Sequence, residues 1–268
     1  MQISTVIVTA DRDPTTVIRA FDSVLSQTVE TGIVIVDAGT SENNVLKDLV
    51  SEKHPDVTYI RSPGSSAPVA RNLGASYCDC DAICFLDDDD EWYPDKLRDQ
   101  IQFLTDDVCL VTSPFILESS DNCQKESFPT PADDMTIMGL NLVGPTSFVM
   151  LSKDIFDKVG GFDTSFQSNQ EWDLWMRMLE YGSSAVSKDV VGIKHHSDSS
   201  ISIDPMKRRK GWYSVIRKHM FRYLRHPEQM LIASGIFMDE MQSYNYRIDS
   251  LFGKVGFYLA CLLRKIRK

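Results

Sequence analysis

The 268-residue sequence has no uninterrupted apolar run of about 18–20 residues, the length a helix needs to cross a bilayer, so no membrane-spanning helix is expected. Its six cysteines show no paired Cys-x-x-Cys spacing with distant histidines, which speaks against a structural zinc site. The first residues carry no secretory leader pattern, and the expectation is a cytoplasmic protein with reduced thiols. No glycine-rich phosphate loop follows the first strand-like run; Thr9-Ala10-Asp11-Arg12 stands there instead, which argues against a nucleotidyltransferase. Internal repeats and low-complexity tracts are absent. Basic charge is scarce in most of the chain: residues 1–205 hold 14 basic and 34 acidic side chains, whereas residues 206–268 hold 14 basic and 4 acidic. An acidic body has no affinity for a nucleic-acid backbone, but a basic, partly apolar tail suits an anionic membrane surface.

What is present alternates strand and helix. Residues 3–9 are β-branched and apolar enough for a buried strand. Asp13-Pro14 reads as a cap and first helical position, followed by Val17, Phe21 and Val24 at helical spacing. Residues 32–36, 57–60 and 82–86 read as further strands, with helices over 43–53 and 66–78 between them. Pro94 opens another helix, and Val108 to Leu117 reads as one more strand. Residues 118–134 are polar and proline-containing, as a loop should be. A strand over 147–151, a helix over 152–159 stopped by Gly160-Gly161, and a helix over 171–181 follow. Strands separated by helices predict a mostly parallel, doubly wound sheet, which takes its ligands beyond the carboxyl ends of the strands.

At one such end stand Asp87, Asp88, Asp89 and Asp90. Adjacent carboxylates repel, and oxygen donors at a ligand-binding edge suit a hard divalent cation, Mg²⁺ or Mn²⁺. Around them lie Ser26-Gln27-Thr28, Ala70-Arg71-Asn72-Leu73-Gly74-Ala75, Phe85-Leu86-Asp87-Asp88-Asp89-Asp90 and Pro94-Asp95-Lys96-Leu97, then Gly160-Gly161-Phe162-Asp163 and Gln170-Glu171-Trp172-Asp173. In this order, over residues 3–200, the series resembles the inverting family-2 glycosyltransferases with a GT-A fold. The fold so implied is a Rossmann-like α/β domain with a mixed, mostly parallel sheet flanked by helices.

The resemblance implies a residue-by-residue site. Asp87 and Asp89 would hold a divalent metal against the donor's diphosphate, with Asp88 close to the donor sugar. Glu171 would be the general base, taking the proton of the acceptor hydroxyl. Thr9, Asp11, Asp37 and Arg71 fall at nucleotide-sugar positions. His195-His196 lies where a histidine can complete the metal site, and His196 is the favoured match. Trp92 and Trp172 are candidates for the acceptor side, while Trp175 reads as core. Departures from the family are Ala38, where a base-contacting acid is usual, and Gln170, where the first acid of a pair is usual.

The expected domains are a catalytic domain over 1–205 and a basic helical extension over 206–268. Within the extension, the apolar residues 251–263 end in Arg264-Lys265-Ile266-Arg267-Lys268, a pattern for lying in a membrane interface, as at the inner face of the cytoplasmic membrane. The implied activity is transfer from a nucleotide-diphosphate sugar, with UDP-sugar the expected donor, to a hydroxyl of a glycan or lipid-linked acceptor in surface polysaccharide or glycoconjugate synthesis. The alternatives are a nucleotidyltransferase and a catalytically inactive relative that binds a nucleotide sugar.

Overall fold

The computed structural model describes residues 1–41, 44–119, 123–196 and 205–243. The expected alternation is present at the start: β1 (Ile3–Thr9), α1 (Pro14–Leu25), β2 (Gly32–Asp37), α2 (Asn44–Lys53), β3 (Thr58–Arg61), α3 (Ala67–Ala75) and β4 (Ala82–Asp87). Asp13 starts α1 by accepting the Thr15 amide at 2.8 Å, with Pro14 in the first position where a missing N–H costs nothing. These four strands pair in parallel in the order β3-β2-β1-β4. The connections therefore leave β1 in opposite directions, and a crevice opens beyond the ends of β1 and β4. Val6, Ile7, Ile35, Val36, Ile83 and Cys84 are essentially inaccessible, because helices cover both faces of a parallel sheet and its strands can be apolar throughout.

After β4 the chain is less regular than its sequence suggests. Next come β5 (Asp90–Trp92), α4 (Lys96–Ile101), β6 (Val108–Thr112), β7 (Phe115–Glu118) and β8 (Gln124–Ser127). The single strand expected over 108–117 is two, broken at Ser113-Pro114, because proline has no N–H for a continuing ladder. β6 joins the main sheet and β7 a second one. The expected loop over 118–134 contains β8, antiparallel to β7. Polar composition concealed that strand, whose residues are mostly exposed.

The remaining elements are α5 (Thr136–Gly139), β9 (Val149–Ser152), α6 (Lys153–Lys158), α7 (Gln170–Met178), β10 (Ser183–Val186), β11 (Gly192–Lys194), α8 (Pro205–Lys218), α9 (Met220–Arg225) and α10 (Pro227–Ser243). β9 runs antiparallel between β4 and β6, completing a seven-stranded, mostly parallel sheet of order β10-β6-β9-β4-β1-β2-β3. A four-stranded sheet of order β5-β11-β7-β8 stands beside it.

The helices after residue 205 dock on this body. Val215, Ile216, Tyr223 and Ala233 are buried, and the Tyr223 hydroxyl donates to the Met138 carbonyl at 2.7 Å. Among the described residues no helix is long and apolar enough to cross a membrane. The interfacial segment expected over 251–263, with its basic end, lies outside the described residues.

Candidate active site

A cavity of about 560 Å³ opens beyond the ends of β1 and β4, and the aspartate loop forms its floor. Four adjacent carboxylates hold together there because each faces a cation. Arg71 pairs with Asp87. Arg12 forks across the loop, its Nε 3.1 Å from Asp88 and its Nη2 3.0 Å from Asp89. Arg19 donates to the Asp89 carbonyl at 3.0 Å. Asp90 is fully buried, accepts the Ser147 hydroxyl at 2.6 Å and lies 3.4 Å from the Lys194 ammonium. Burial penalises the charged forms and pushes Asp88 and Asp90 up to about 6 each. For Asp87 the same burial is outweighed by Arg71 and Lys194, which hold its carboxyl below the ordinary range.

The sequence motifs set this loop in place by bracing one another. Gln27 donates from its side-chain amide to the Tyr93 carbonyl at 2.8 Å and accepts the Leu97 amide at 3.1 Å. Thr28 donates to Asp95 at 2.7 Å. The Ser-Gln-Thr and Pro-Asp-Lys-Leu segments are thus two halves of one clamp on the chain leaving the aspartates. Asn72, beside Arg71, bonds both backbone groups of Phe162, donating to its carbonyl at 2.7 Å and accepting its amide at 2.9 Å. A side chain on Gly161, which sits at φ +66°, would come within 2.6 Å of the same Asn72 oxygen. Only glycine tolerates both the backbone angle and the contact.

The opposite wall is the start of α7. Asn169 adopts a left-handed φ of 56° to turn the chain into the helix, and Glu171 lies in the first turn facing the cavity. Burial raises the Glu171 carboxyl above its ordinary value, with Arg71 opposing the rise and Asp87 adding to it. Asp173, two residues on in α7, is fully buried. It accepts from His219 at 2.9 Å, from Arg177 at 2.8 Å and from Lys218 at 2.9 Å, which ties α8 to α7.

The structure brings Thr9, Arg71, Asp87, Asp88, Asp89, Glu171, Trp172 and both histidines of the 195–196 pair to this one cavity. Thr9 bonds to Asp88 through its hydroxyl. His195 has both ring nitrogens against carboxylates, Nδ1 2.7 Å from Glu118 and Nε2 3.2 Å from Glu91, whereas His196 is exposed at the rim. Trp172 lines the cavity but is mostly buried, and its indole N–H donates to the Ile137 carbonyl at 2.7 Å.

Three expected site residues stand elsewhere. Trp92 is 2% exposed, its N–H bonds the Ser147 carbonyl at 2.6 Å, and the buried Lys96 ammonium sits 4.0 Å from its ring. It is a core side chain and not a pocket wall. Asp37 is also buried, held by the Gly39 amide at 2.9 Å, by the Tyr59 hydroxyl at 2.6 Å and by Arg61 at 2.6 Å. Asp11, at φ 50°, accepts both the amides and the hydroxyls of Thr40 and Ser41, so its carboxylate fastens the loop after β1 to the loop after β2.

Sequence reasoning missed Arg12, Lys194 and the wall that α8 and α10 supply. Arg208, Trp212, Ala233, Ile236 and Phe237 all line the cavity, and Trp212 stacks on Phe237 with ring centres 4.4 Å apart. Adjacency to Asp11 was the available signal for Arg12. Nothing local marks the others, since their place depends on how the C-terminal helices fold back.

The carboxylates that line the cavity, Asp87, Asp88 and Asp89, match a hard divalent cation in kind, being oxygen donors. Among the described residues no three His, Cys, Asp or Glu side chains already converge as a ligand set. Arg12 and Arg71 supply the compensating charge.

The crevice at the β1/β4 switch, the aspartate turn and the antiparallel β9 define a GT-A type fold, and solved structures agree. S. aureus TarS 1–349 in complex with UDP-GlcNAc matches with a TM-score of 0.69 at 14% identity, over 91% of this chain and 73% of that one. The mannosyltransferase PcManGT from Pyrobaculum calidifontis, in complex with GDP-Man and Mn²⁺, matches with a TM-score of 0.62 at 14% identity, over 98% and 80%. Residues 4–160 match Glycosyl transferase family 2, and the chain belongs to that family. Among its relatives is the glycosyl transferase WcaA of Escherichia coli (strain K12), named for colanic acid biosynthesis, 29% identical over 77% of each chain. Another is the succinoglycan biosynthesis protein ExoW of Rhizobium meliloti (strain 1021), 34% identical over 39% of this chain and 34% of that one.

Proposed function

We propose that this glycosyltransferase moves a sugar, with inversion, from a nucleoside-diphosphate sugar to a hydroxyl of a glycan or lipid-linked acceptor. One observation carries the reading: Glu171 faces the Asp87–Asp89 turn across a single cavity, close enough for the Asp87 and Arg71 charges to bear on its carboxyl. A base and a diphosphate-binding edge on opposite sides of one cavity are what an in-line displacement requires.

In the step so inferred, Glu171 takes the proton of the acceptor hydroxyl as that oxygen bonds to the anomeric carbon. The bond from that carbon to the diphosphate oxygen breaks on the far side, and the nucleoside diphosphate leaves with the electron pair. Arg71 has two buried guanidinium nitrogens, Nε and Nη1, without hydrogen-bond partners, so it has donors to offer an anion at the cavity floor. A divalent cation, Mn²⁺ or Mg²⁺, held by Asp87 and Asp89 with His196, would supply charge neutralisation for the departing diphosphate. The cation bound in PcManGT and the acidic loop here support that assignment. A UDP-sugar is our expected donor, on the analogy of the TarS complex. The names of WcaA and ExoW support an acceptor in polysaccharide synthesis, and a cytoplasmic location would give access to nucleotide sugars.

Calorimetric titration with UDP, GDP and dTDP, each with and without Mn²⁺, tests the reading. The expected result is metal-dependent binding of UDP, abolished in Asp89→Ala. Absence of binding by all three, with or without metal, would overturn it.

A further inference from the structure

The helices that close the cavity have a second face. On α8 and α9, Lys210, Tyr213, Arg217, Phe221 and Leu224 follow one another at steps of three and four residues, which places them along one side of the helical path. That side points away from the body: Tyr213 is 54% exposed, Phe221 80% and Leu224 65%. Arg225 stands beside Leu224, and Lys210, Arg217 and Arg225 are exposed. The buried side chains of the same two helices, Val215, His219 and Tyr223, lie on the opposite side. Large exposed apolar side chains alternating with cations, over two helices, are unusual for a surface facing only water.

We propose that this outward face of α8 and α9 docks on an anionic lipid bilayer, with Phe221 and Leu224 entering the acyl boundary and the three cations meeting headgroup phosphates. The charge distribution selects that partner. Phe221 and Leu224 gain nothing from a nucleic-acid backbone but gain burial among acyl chains. A two-fold dimer through the same stripe would set its cations against their own copies. The docking has a use in the reaction, a point that rests on the proposed transfer to a lipid-linked acceptor. α8 sends Arg208 and Trp212 into the cavity from one side while presenting Tyr213 and Arg217 on the other, and the Tyr213 ring touches both Trp212 and Phe237, with centres 5.2 and 6.1 Å away. A surface-bound enzyme would thus hold its catalytic cavity one helix thickness from the bilayer, within reach of an amphiphilic acceptor.

Sedimentation of the full chain with vesicles of phosphatidylcholine, and with an equimolar phosphatidylcholine–phosphatidylglycerol mixture, tests this. The expected result is binding to the anionic vesicles alone, weakened by salt. Each cation near the surface is worth roughly fivefold in partitioning, so Arg217→Glu/Arg225→Glu should bind at least tenfold more weakly. Phe221→Ser/Leu224→Ser should lose a similar factor and resist recovery at low salt. UDP titration of each variant should match the parent, which separates a failed surface from a failed transferase reading. Parent-like vesicle binding by both variants, equal binding to neutral vesicles, or no binding at all would overturn the proposal. So would light scattering that shows a dimer dissociated by Phe221→Ser.

Discussion

Glu171 shows how much a single residue depends on its surroundings. Alone, an acid in the first turn of a helix is an ordinary partner of the helix dipole; across a cavity from the aspartate turn it becomes the proposed base. Glu171→Gln keeps the shape and removes the proton acceptor, so turnover should fall by about 10²–10⁴-fold while UDP affinity stays within a factor of two. Because burial raises this carboxyl, the rate should climb with pH through a midpoint above that of a free glutamate, as the basic form appears, and the glutamine variant should lack that limb. An unchanged pH–rate profile in the variant would remove Glu171 from the chemistry. Residue identity alone did not show how Asp11, Asp37 and Trp92 are held. Each matches a plausible site position, yet hydrogen-bond partners twenty or more residues away turn both carboxylates and the indole into structural ties.

At the scale of elements, the join between α7 and α8 decides whether the cavity has its second wall. It is polar at its centre, where Asp173 receives Lys218, Arg177 and His219 while Asp163 receives Lys218 at 2.6 Å. Burial opposes the charge on both aspartates, but these partners prevail, holding Asp173 low and bringing Asp163 down to about 2. A depressed carboxyl contributes stability above its unfolded value, here 3.8, and loses it as the pH falls through about 2. Acidification across that window should release α8 before the sheet melts, seen as a change in Trp212 emission ahead of the loss of far-ultraviolet ellipticity. Asp173→Ala takes the shared carboxylate from the half-buried Arg177, the exposed Lys218 and the buried His219 and should cost about 1–3 kcal/mol. Gly211 marks the close approach on the same join: a Cβ there would lie 2.1 Å from the Ser168 hydroxyl and 2.6 Å from its carbonyl, so Gly211→Ala should destabilise by roughly 1–3 kcal/mol in thermal unfolding. Regular elements were legible from periodicity, as α1 and β1 to β4 show. The short strands β5, β10 and β11 were not, because three or four residues carry too little pattern and take their conformation from the neighbour they pair with.

For the whole molecule, the aspartate loop is the place where stability and function meet. Asp88 and Asp90, both pushed up to about 6 by burial, remain partly uncompensated despite Arg12 and Lys194. On the proposed reading a cation and its nucleotide would offset such a charge and select the folded state, so UDP with Mn²⁺ at a hundred times the dissociation constant should add about 2.7 kcal/mol, read as a raised Tm. UDP with a chelator should leave Tm nearly unchanged. Equal shifts with and without metal would show that nucleotide binding is independent of the carboxylates.

The amino-acid sequence by itself determined the mostly parallel sheet, the acidic turn at the end of β4 and the acid that opens α7. Each is encoded locally, by buried apolar runs, by a charge cluster at a strand end and by the first turn of a helix. The tertiary structure decided which polar groups face the cavity. Asp87, Asp88 and Asp89 line it, whereas Asp37 is buried against Arg61 and Tyr59 and Asp11 turns to Thr40 and Ser41. The fold also placed Trp212 and Phe237 opposite β1, an approach set by long-range packing between residues separated by most of the chain.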